Sequence, residues 1–440
     1  MRNALGNRIP GVKFRPRSSS PQWPALALSA AGGAAIGVLV AGNFFTEGKK
    51  LKQLVKAPYA VGDDSFVRSM SNLLGPPLLE GNQVTALHNG VEIFPAMLDA
   101  ISKAEKTITF ENFILWEGHV ADRLIAALTE RARAGVRVHM LQDAMGCDNV
   151  DGPLIDELND AGVELELYRF FHLTRMNQRT HRKLLVIDGK VGFTGGAGIG
   201  DKWDGNGDTP DTWRDSHYRL QGPAVAQMQQ AFMDNWMQTR GCVLHGDDYF
   251  PHLPDAGDDL CQVFKSSADE GSDSARLMMM LSIAAAREKI RIANAYFIPD
   301  QLMIDTLLEA RRRAVEVEII VPGEYIDQSW VRWVSRARWR PLLESGVRIF
   351  EYQPSNFHCK YMIVDDCWAS VGSANLDNRS LRLNEECNLN VLDHEFAAKH
   401  AEVFNQDKNR SCEITLRDWK RRPFSEHCLA RSYGLFSKQM

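Results

Sequence analysis

The sequence has no C-x-x-C pair and no zinc-like spacing among its eight cysteines, Cys147, Cys242, Cys261, Cys359, Cys367, Cys387, Cys412 and Cys428. A zinc ribbon is therefore excluded, and the scatter leaves room for one or two bridges but not for a disulfide framework. It also lacks an excess of positive charge. A formal net charge of -5 and a pI near 6.2 argue against a nucleic-acid binder that works by bulk charge, while allowing a local basic site for a phosphate. The composition, 44% hydrophobic and 24% charged, is that of a globular protein. At 440 residues the chain exceeds one ordinary core, so two domains are expected.

Charge is missing altogether from Ala25 to Phe45, ALALSAAGGAAIGVLVAGNFF. About 21 uncharged residues are enough to cross a hydrocarbon core as a helix. The stretch is longer than a usual signal-peptide core and no clean A-x-A site follows it, so a retained single-pass anchor is favoured over a cleaved signal. The expected organisation is a basic segment over 1–24, the transmembrane anchor over 25–45 and a linker over 46–60. Gly33 and Gly37 form a G-x-x-x-G that would let two such helices meet in a homodimer, or are simply small residues with no pairing role. Lysines and arginines flank both ends of the stretch, so the positive-inside rule leaves the orientation undecided. A bacterial inner membrane is the expected location. The Arg- and Ser-rich, acid-poor start also looks like an organellar transit peptide, and an organellar membrane is the minority reading.

Beyond Pro58 strands and helices alternate. TITFENFIL (107–115) and VRVHMLQD (136–143) read as strands, and 121–134 and 154–161 as helices, which argues for a sheet covered by helices. The same order then recurs. AEKTITFENFIL near Ala104 answers AREKIRIANAYFI near Ala286, ERARAGVRVHML answers EARRRAVEVEIIV, and AGVELELY answers SGVRIFEY. Finally HRKLLVIDGKVGFTGG from His181 answers HCKYMIVDDCWASVGS from His358. Preserved order through four elements points to internal duplication. Two domains are expected, 61–250 and 251–440, divided at the Pro- and Asp-rich PHLPDAGDD.

Each repeat carries His-x-Lys-x4-Asp: His181, Lys183 and Asp188 in the first, His358, Lys360 and Asp365 in the second. Alternation along a strand points the histidine and lysine to one face and the intervening Arg182 to the other. An ammonium beside an imidazole suits a phosphoryl group: the lysine supplies fixed positive charge, and the histidine can attack or protonate. One copy alone would be explained as well by a half-buried strand with two polar residues. Two copies at equivalent places in a duplicated chain are a much stronger signal.

On these motifs, over roughly residues 80 to 410, the chain resembles the phospholipase D superfamily. The runs WRDSHYRLQGPAV, GDDYFP and GSANLDNRSLRLNEE look most like bacterial cardiolipin synthases. The resemblance implies an α/β fold of two tandem phospholipase D-like domains, each a mixed β-sheet flanked by helices, related by a pseudo-twofold axis and preceded here by the transmembrane helix. It implies a single site in which one histidine forms a covalent phosphohistidine and the other is acid and base. His181 is expected as nucleophile and His358 as acid/base, with Lys183, Lys360 and Asn375 on the phosphoryl oxygens. Ser373 and Asn375 follow the second aspartate at the family distance. By similarity Glu386 should orient His358, and Asp215 should orient His181. Asp188 and Asp365 complete the motif set and are expected to be structural. No metal and no cofactor are implied. Anionic phospholipids are the expected substrates, giving cardiolipin from phosphatidylglycerol, with hydrolysis to phosphatidic acid as the alternative and a membrane-tethered nuclease behind it.

The first repeat departs from the family in one place: Gly198 stands where asparagine is usual, opposite Asn375. Slower turnover, or compensation by backbone N–H groups or Lys183, is the expectation. Arg332, Arg336 and Arg340 share a helix face with Trp330, Trp333 and Trp339 nearby, which reads equally as an interfacial element or as a helix packed on the core. His217 reads as a satisfied structural histidine, and His172 lies in an insertion that could line the entrance.

Overall fold

The computed structural model describes residues 51–147, 152–168, 179–267, 274–423 and 426. The uncharged stretch 25–45 and His172 lie outside the described residues. No helix among those described is long and apolar enough to cross a membrane.

The first repeat contributes β1 (Leu79–His88), β2 (Thr107–Asn112), β3 (Arg137–Asp143), β4 (Glu164–Tyr168), β5 (Leu184–Ile187), β6 (Val191–Gly195), β7 (Trp213–Arg214) and β8 (Ser216–Gln221). The second contributes β9 (Asp259–Ser266), β10 (Lys289–Asn294), β11 (Glu316–Pro322), β12 (Arg348–Tyr352), β13 (Asn356–Phe357), β14 (Lys360–Val364), β15 (Trp368–Gly372), β16 (Glu386–Leu392) and β17 (Ser411–Glu413). Fifteen of these form one continuous sheet in the order β17-β12-β11-β10-β14-β15-β16-β9-β1-β8-β6-β5-β2-β3-β4. Read outward from the antiparallel β9–β1 pair, β16, β15, β14, β10, β11 and β12 mirror β8, β6, β5, β2, β3 and β4. The duplication seen in the sequence is thus a pseudo-twofold relation about the centre of a single sheet.

Within each half the outer strands are parallel, β2 with β3 and β4, β10 with β11 and β12. Parallel neighbours need crossovers, and these are the helices α1 (His119–Arg133), α2 (Pro153–Asp160), α3 (Gln301–Arg312) and α4 (Ser329–Glu344). Burial on both faces explains why β2 and β14 are buried at every position rather than alternating. One apolar core runs through both halves, from Phe232 and Trp236 of the helix Val225–Arg240 to Phe396 and Phe404 of the helix His394–Asn409.

The Arg/Trp segment is α4, and it is part of the fold. Trp339 is buried, with its indole N–H donating to Ser335 Oγ at 3.0 Å. Arg332 pairs with Glu351 at 2.9 Å, Arg336 with Glu426 at 2.9 Å and Arg340 with Glu344 at 2.9 Å. Trp339 and the pairs of Arg332 and Arg336 fit the packed-helix reading, while Trp330 and Trp333 are half-buried and the Arg340–Glu344 pair lies at the surface.

Candidate active site

The site forms where the two halves exchange short parallel contacts off the main sheet. β13 pairs with β7, and Thr180 forms the equivalent bridge to Glu385. The backbone N–H of His358 donates to the Arg214 carbonyl at 2.7 Å, and that of His181 to the Glu385 carbonyl at 2.8 Å. These two bonds set each histidine beside the residue that follows its partner carbonyl, which is Asp215 for His358 and Glu386 for His181.

The carboxylates are therefore crossed relative to expectation. His181 Nδ1 lies 3.0 Å from Glu386 Oε2, and His358 Nδ1 lies 2.7 Å from Asp215 Oδ2. Each half lends its carboxylate to the histidine of the other, so neither half could complete a dyad alone. A carboxylate only accepts, so Nδ1 carries the proton and Nε2 keeps its lone pair.

Burial lowers the proton affinity of both histidines, to about 4 for His181, with Lys183 pushing the same way and Glu386 opposing. For Glu386 and Asp215 burial acts to raise the pKa, but it is outweighed. His181, Lys183 and the Ser373 hydroxyl hold Glu386 below the usual range, while His358, Lys360 and the Trp203 indole do so for Asp215. Both sets of shifts favour a neutral imidazole against an ionised carboxylate.

Lys183 and Lys360 are buried, 3% exposed each, and neither has a carboxylate within ion-pair distance among the described residues. Lys183 Nζ donates to the His181 carbonyl at 2.9 Å, and Lys360 Nζ contacts the His358 carbonyl and Nδ1. Burial, augmented by Lys360, brings Lys183 down to about 7. Glu386 and Asp215 act on both lysines against that burial, so a histidine, a lysine and a carboxylate from each half meet in one place.

Arg182 faces away from the lysine, as the strand alternation required, and forms a fully buried ion pair with Glu385 at 2.9 Å. Ser373 Oγ donates to Glu386 Oε2 at 2.5 Å, and Asn375 Oδ1 accepts from the Tyr296 N–H at 3.3 Å.

Asp188 and Asp365 stand just past the far ends of β5 and β14, about 16 Å along the strand from their lysines. Asp188 accepts backbone N–H bonds from Glu105, Lys106 and Thr107 at 2.9, 2.7 and 2.8 Å. Asp365 accepts the equivalent three from Arg287, Glu288 and Lys289 at 2.7, 2.8 and 2.8 Å. Both have a positive φ of 51°, which an aspartate in a tight turn tolerates. They pin β2 to β5 and β10 to β14, at the end of each strand away from the histidines.

The Gly198 departure has a partner that the motif did not reveal. A Cβ at Gly198 would come 2.7 Å from Ile114 Cβ and 3.0 Å from the Trp203 ring, and one at Gly196 would come 2.1 Å from Asp215 Oδ1. Trp203 Nε1 donates to Asp215 Oδ2 at 2.9 Å, the service that the Ser373 hydroxyl gives Glu386. The first half has been rebuilt around its glycines, with an indole in place of a hydroxyl and an amide. The signal was present as a tryptophan five residues beyond Gly198, but nothing local gave its direction. Restoring the usual residue should therefore harm the site: Gly198→Asn is expected to lower kcat/KM about tenfold, since an overpacked site costs roughly 1–3 kcal/mol. Steady-state kinetics on the two chains would show it, and equal or faster turnover by the variant would refute the rebuilding.

His217 is buried, as expected, but its Nδ1 has no hydrogen-bond partner among the described residues. Burial takes its pKa to about 4. No cluster of three metal-ligating side chains occurs among the described residues.

Paired His-x-Lys segments closing across a pseudo-twofold sheet define a phospholipase D-type phosphodiester-transfer enzyme. The family model described as "Cardiolipin synthase, PLD-like domain" matches residues 97–236 and 279–408, one match in each half. The chain is 34% identical over 355 residues to cardiolipin synthase A of Pseudomonas fluorescens, covering 79% of this chain and 73% of that one. It is 33% identical over 361 residues to cardiolipin synthase 2 of Bacillus anthracis, covering 81% and 70%. Among solved structures, phosphatidylserine synthase of Haemophilus influenzae superposes with a TM-score of 0.67 at 14% identity, covering 86% of this chain and all of that one; at that identity the likeness is one of fold. The chain belongs to the cardiolipin synthase family of PLD-like enzymes.

Proposed function

We propose that this chain is a phosphatidyltransferase that makes cardiolipin from phosphatidylglycerol through a phosphohistidine at His181. The observation that carries the reading is the pair of crossed dyads, each with a histidine whose Nδ1 is held by a carboxylate of the other half. In the first step His181 Nε2 attacks phosphorus, the bond to the headgroup oxygen breaks, and His358 gives that oxygen a proton so that glycerol leaves. In the second, the terminal hydroxyl of another phosphatidylglycerol gives its proton to His358. Its oxygen attacks phosphorus, and the P–N bond to His181 breaks.

Lys183, Lys360 and Asn375 would hold the non-bridging oxygens. Entry of the phosphate anion compensates both ammoniums and raises the proton affinity of the adjacent imidazoles, so His358 becomes protonated when a substrate is present. Glu386 and Asp215 keep the two rings in the tautomer that presents Nε2. The family match and the two relatives support the lipid class.

The uncharged stretch 25–45 would hold the enzyme at its membrane, and paired anchors through Gly33 and Gly37 would make it a dimer. The test of the activity uses purified protein and vesicles of labelled phosphatidylglycerol. Cardiolipin and free glycerol are expected in equal amounts, and neither from His181→Ala. Phosphatidic acid as the main product would overturn the transfer reading, and cardiolipin from the variant would overturn the nucleophile.

A further inference from the structure

The equivalence of the two halves fails beside the histidines in a second place, and there the difference is chemical. Two residues past the end of β2 stands Ile114, whose side chain closes on Gly198. Two residues past the end of β10 stands Tyr296. Its backbone N–H donates to Asn375 Oδ1 at 3.3 Å, and that of the preceding Ala295 donates to the Cys359 carbonyl at 3.0 Å. Tyr296 is thereby stitched between the two parts of the second motif. Its hydroxyl donates to Asp327 Oδ2, in the turn that follows β11.

The topology puts that turn at the working end of the sheet. Asn294 lies opposite Lys360 in the β10–β14 pair, and β11 runs parallel to β10, so both strands finish on the His358 side. Tyr296, Ile326 and Trp330 pack on Ile298, Val331 and Val334, which gives the turn a small core of its own. Asp327 remains exposed and Tyr296 half-buried. The negative charge of Asp327 also acts on His358 and Lys360, favouring their protonated forms against burial. Burial holds the Tyr296 phenol well above its ordinary range, so it stays a donor.

We infer that Tyr296 and Asp327 bind hydroxyls of the alcohol that enters and leaves at His358, and so favour a polyol acceptor over water. The inference rests on the phosphatidyl-transfer reading and supplies its acceptor half. A carboxylate and a phenol one hydrogen bond apart match two hydroxyls on adjacent carbons, as in a glycerol headgroup. Water can satisfy one of them but gains nothing from the second, and a site built to hydrogen-bond a hydroxyl discriminates strongly against a ligand that lacks it. Asp327 lies near enough for its charge to act on His358, the residue through which the alcohol would pass. The His181 side, where the phosphatidyl group would be carried, has Ile114 and Phe113 instead, the Phe113 ring centroid 5.3 Å from that of His181. No covalent step is added, since Asp327 and Tyr296 only hold hydroxyls next to the one that reacts.

The experiment uses the purified full chain, Asp327→Asn and Tyr296→Phe on vesicles of labelled phosphatidylglycerol, scoring the ratio of cardiolipin to phosphatidic acid. The ratio is internal, so it does not depend on how much of each preparation is folded. Each variant is expected to lower it about tenfold, the effect of losing one good hydrogen bond to a charged or well-placed partner. A ratio within about twofold of the unaltered chain in either variant overturns the inference, whatever the total turnover. Phosphatidic acid alone from the unaltered chain would instead defeat the transfer reading, which is a different result.

Discussion

Replacing Glu386 by glutamine is expected to lower kcat about 1,000-fold while leaving the fold intact, and Asp215→Asn should do the same. An amide can donate as well as accept, so it no longer requires Nδ1 to carry the proton and no longer favours the imidazolium that forms in each step. Proton transfer by a positioned group supplies roughly 10²–10⁴-fold, and a misplaced tautomer loses most of it. The crossed geometry makes the result specific. Glu386 contacts His181, so Glu386→Gln should slow formation of the covalent intermediate, whereas Asp215 contacts His358 and Asp215→Asn should slow protonation of the leaving alcohol as well as the second step. Single-turnover kinetics with a substrate whose leaving group needs no proton separates the two. Asp215→Asn should then recover its first step and Glu386→Gln should not. The opposite pattern would restore the uncrossed assignment.

The second large effect is on stability. Asp188 is 8% exposed and accepts three backbone N–H groups, from Glu105, Lys106 and Thr107. Asp188→Ala leaves all three without that partner and places alanine at a positive φ. Each buried unsatisfied donor costs roughly 1–3 kcal/mol, and water will reach some of them, so a loss of about 3–5 kcal/mol is expected in denaturant unfolding. Asp365→Ala should cost less, because two of its three bonds lie at the surface. For molecules that remain folded, kcat should stay within about threefold of the unaltered chain. A collapse of kcat at unchanged stability would put the motif aspartates back among the catalytic groups.

The repeated order of strands and helices was legible because both halves write it in the same hydrophobic alternation. Lys183 and Arg182 on opposite faces followed from the period of an extended chain, and the pinning role of Asp188 and Asp365 is consistent with their place after the last apolar strand residue. The joining of the halves was not legible. β1, LEGNQVTALH, is too polar to announce itself as the strand that meets β9 at the centre of a fifteen-stranded sheet.

The exchange of carboxylates depends on contacts between segments far apart in sequence, Thr180 with Glu385 and Arg214 with His358, for which no local pattern exists. The sequence did hold a trace of it, since Asp215 and Glu386 occupy equivalent places at the heads of β8 and β16. Trp203 escaped notice for a similar reason: its identity is local but its contact with Asp215 is made by the fold. The partners of Arg332 and Arg336 were not legible either, since Glu351 and Glu426 come from elsewhere in the chain.

In the proposed mechanism both halves build one site in which His181 carries the phosphatidyl group and His358 handles the proton. His358→Ala with phosphatidyl-p-nitrophenol tests it most directly, because p-nitrophenolate leaves without protonation. A burst of about one p-nitrophenol per active chain is expected, followed by a stalled enzyme whose lipid label maps to the peptide containing His181. A steady rate with no burst, or a label recovered on His358 when His181→Ala is treated in the same way, would contradict it.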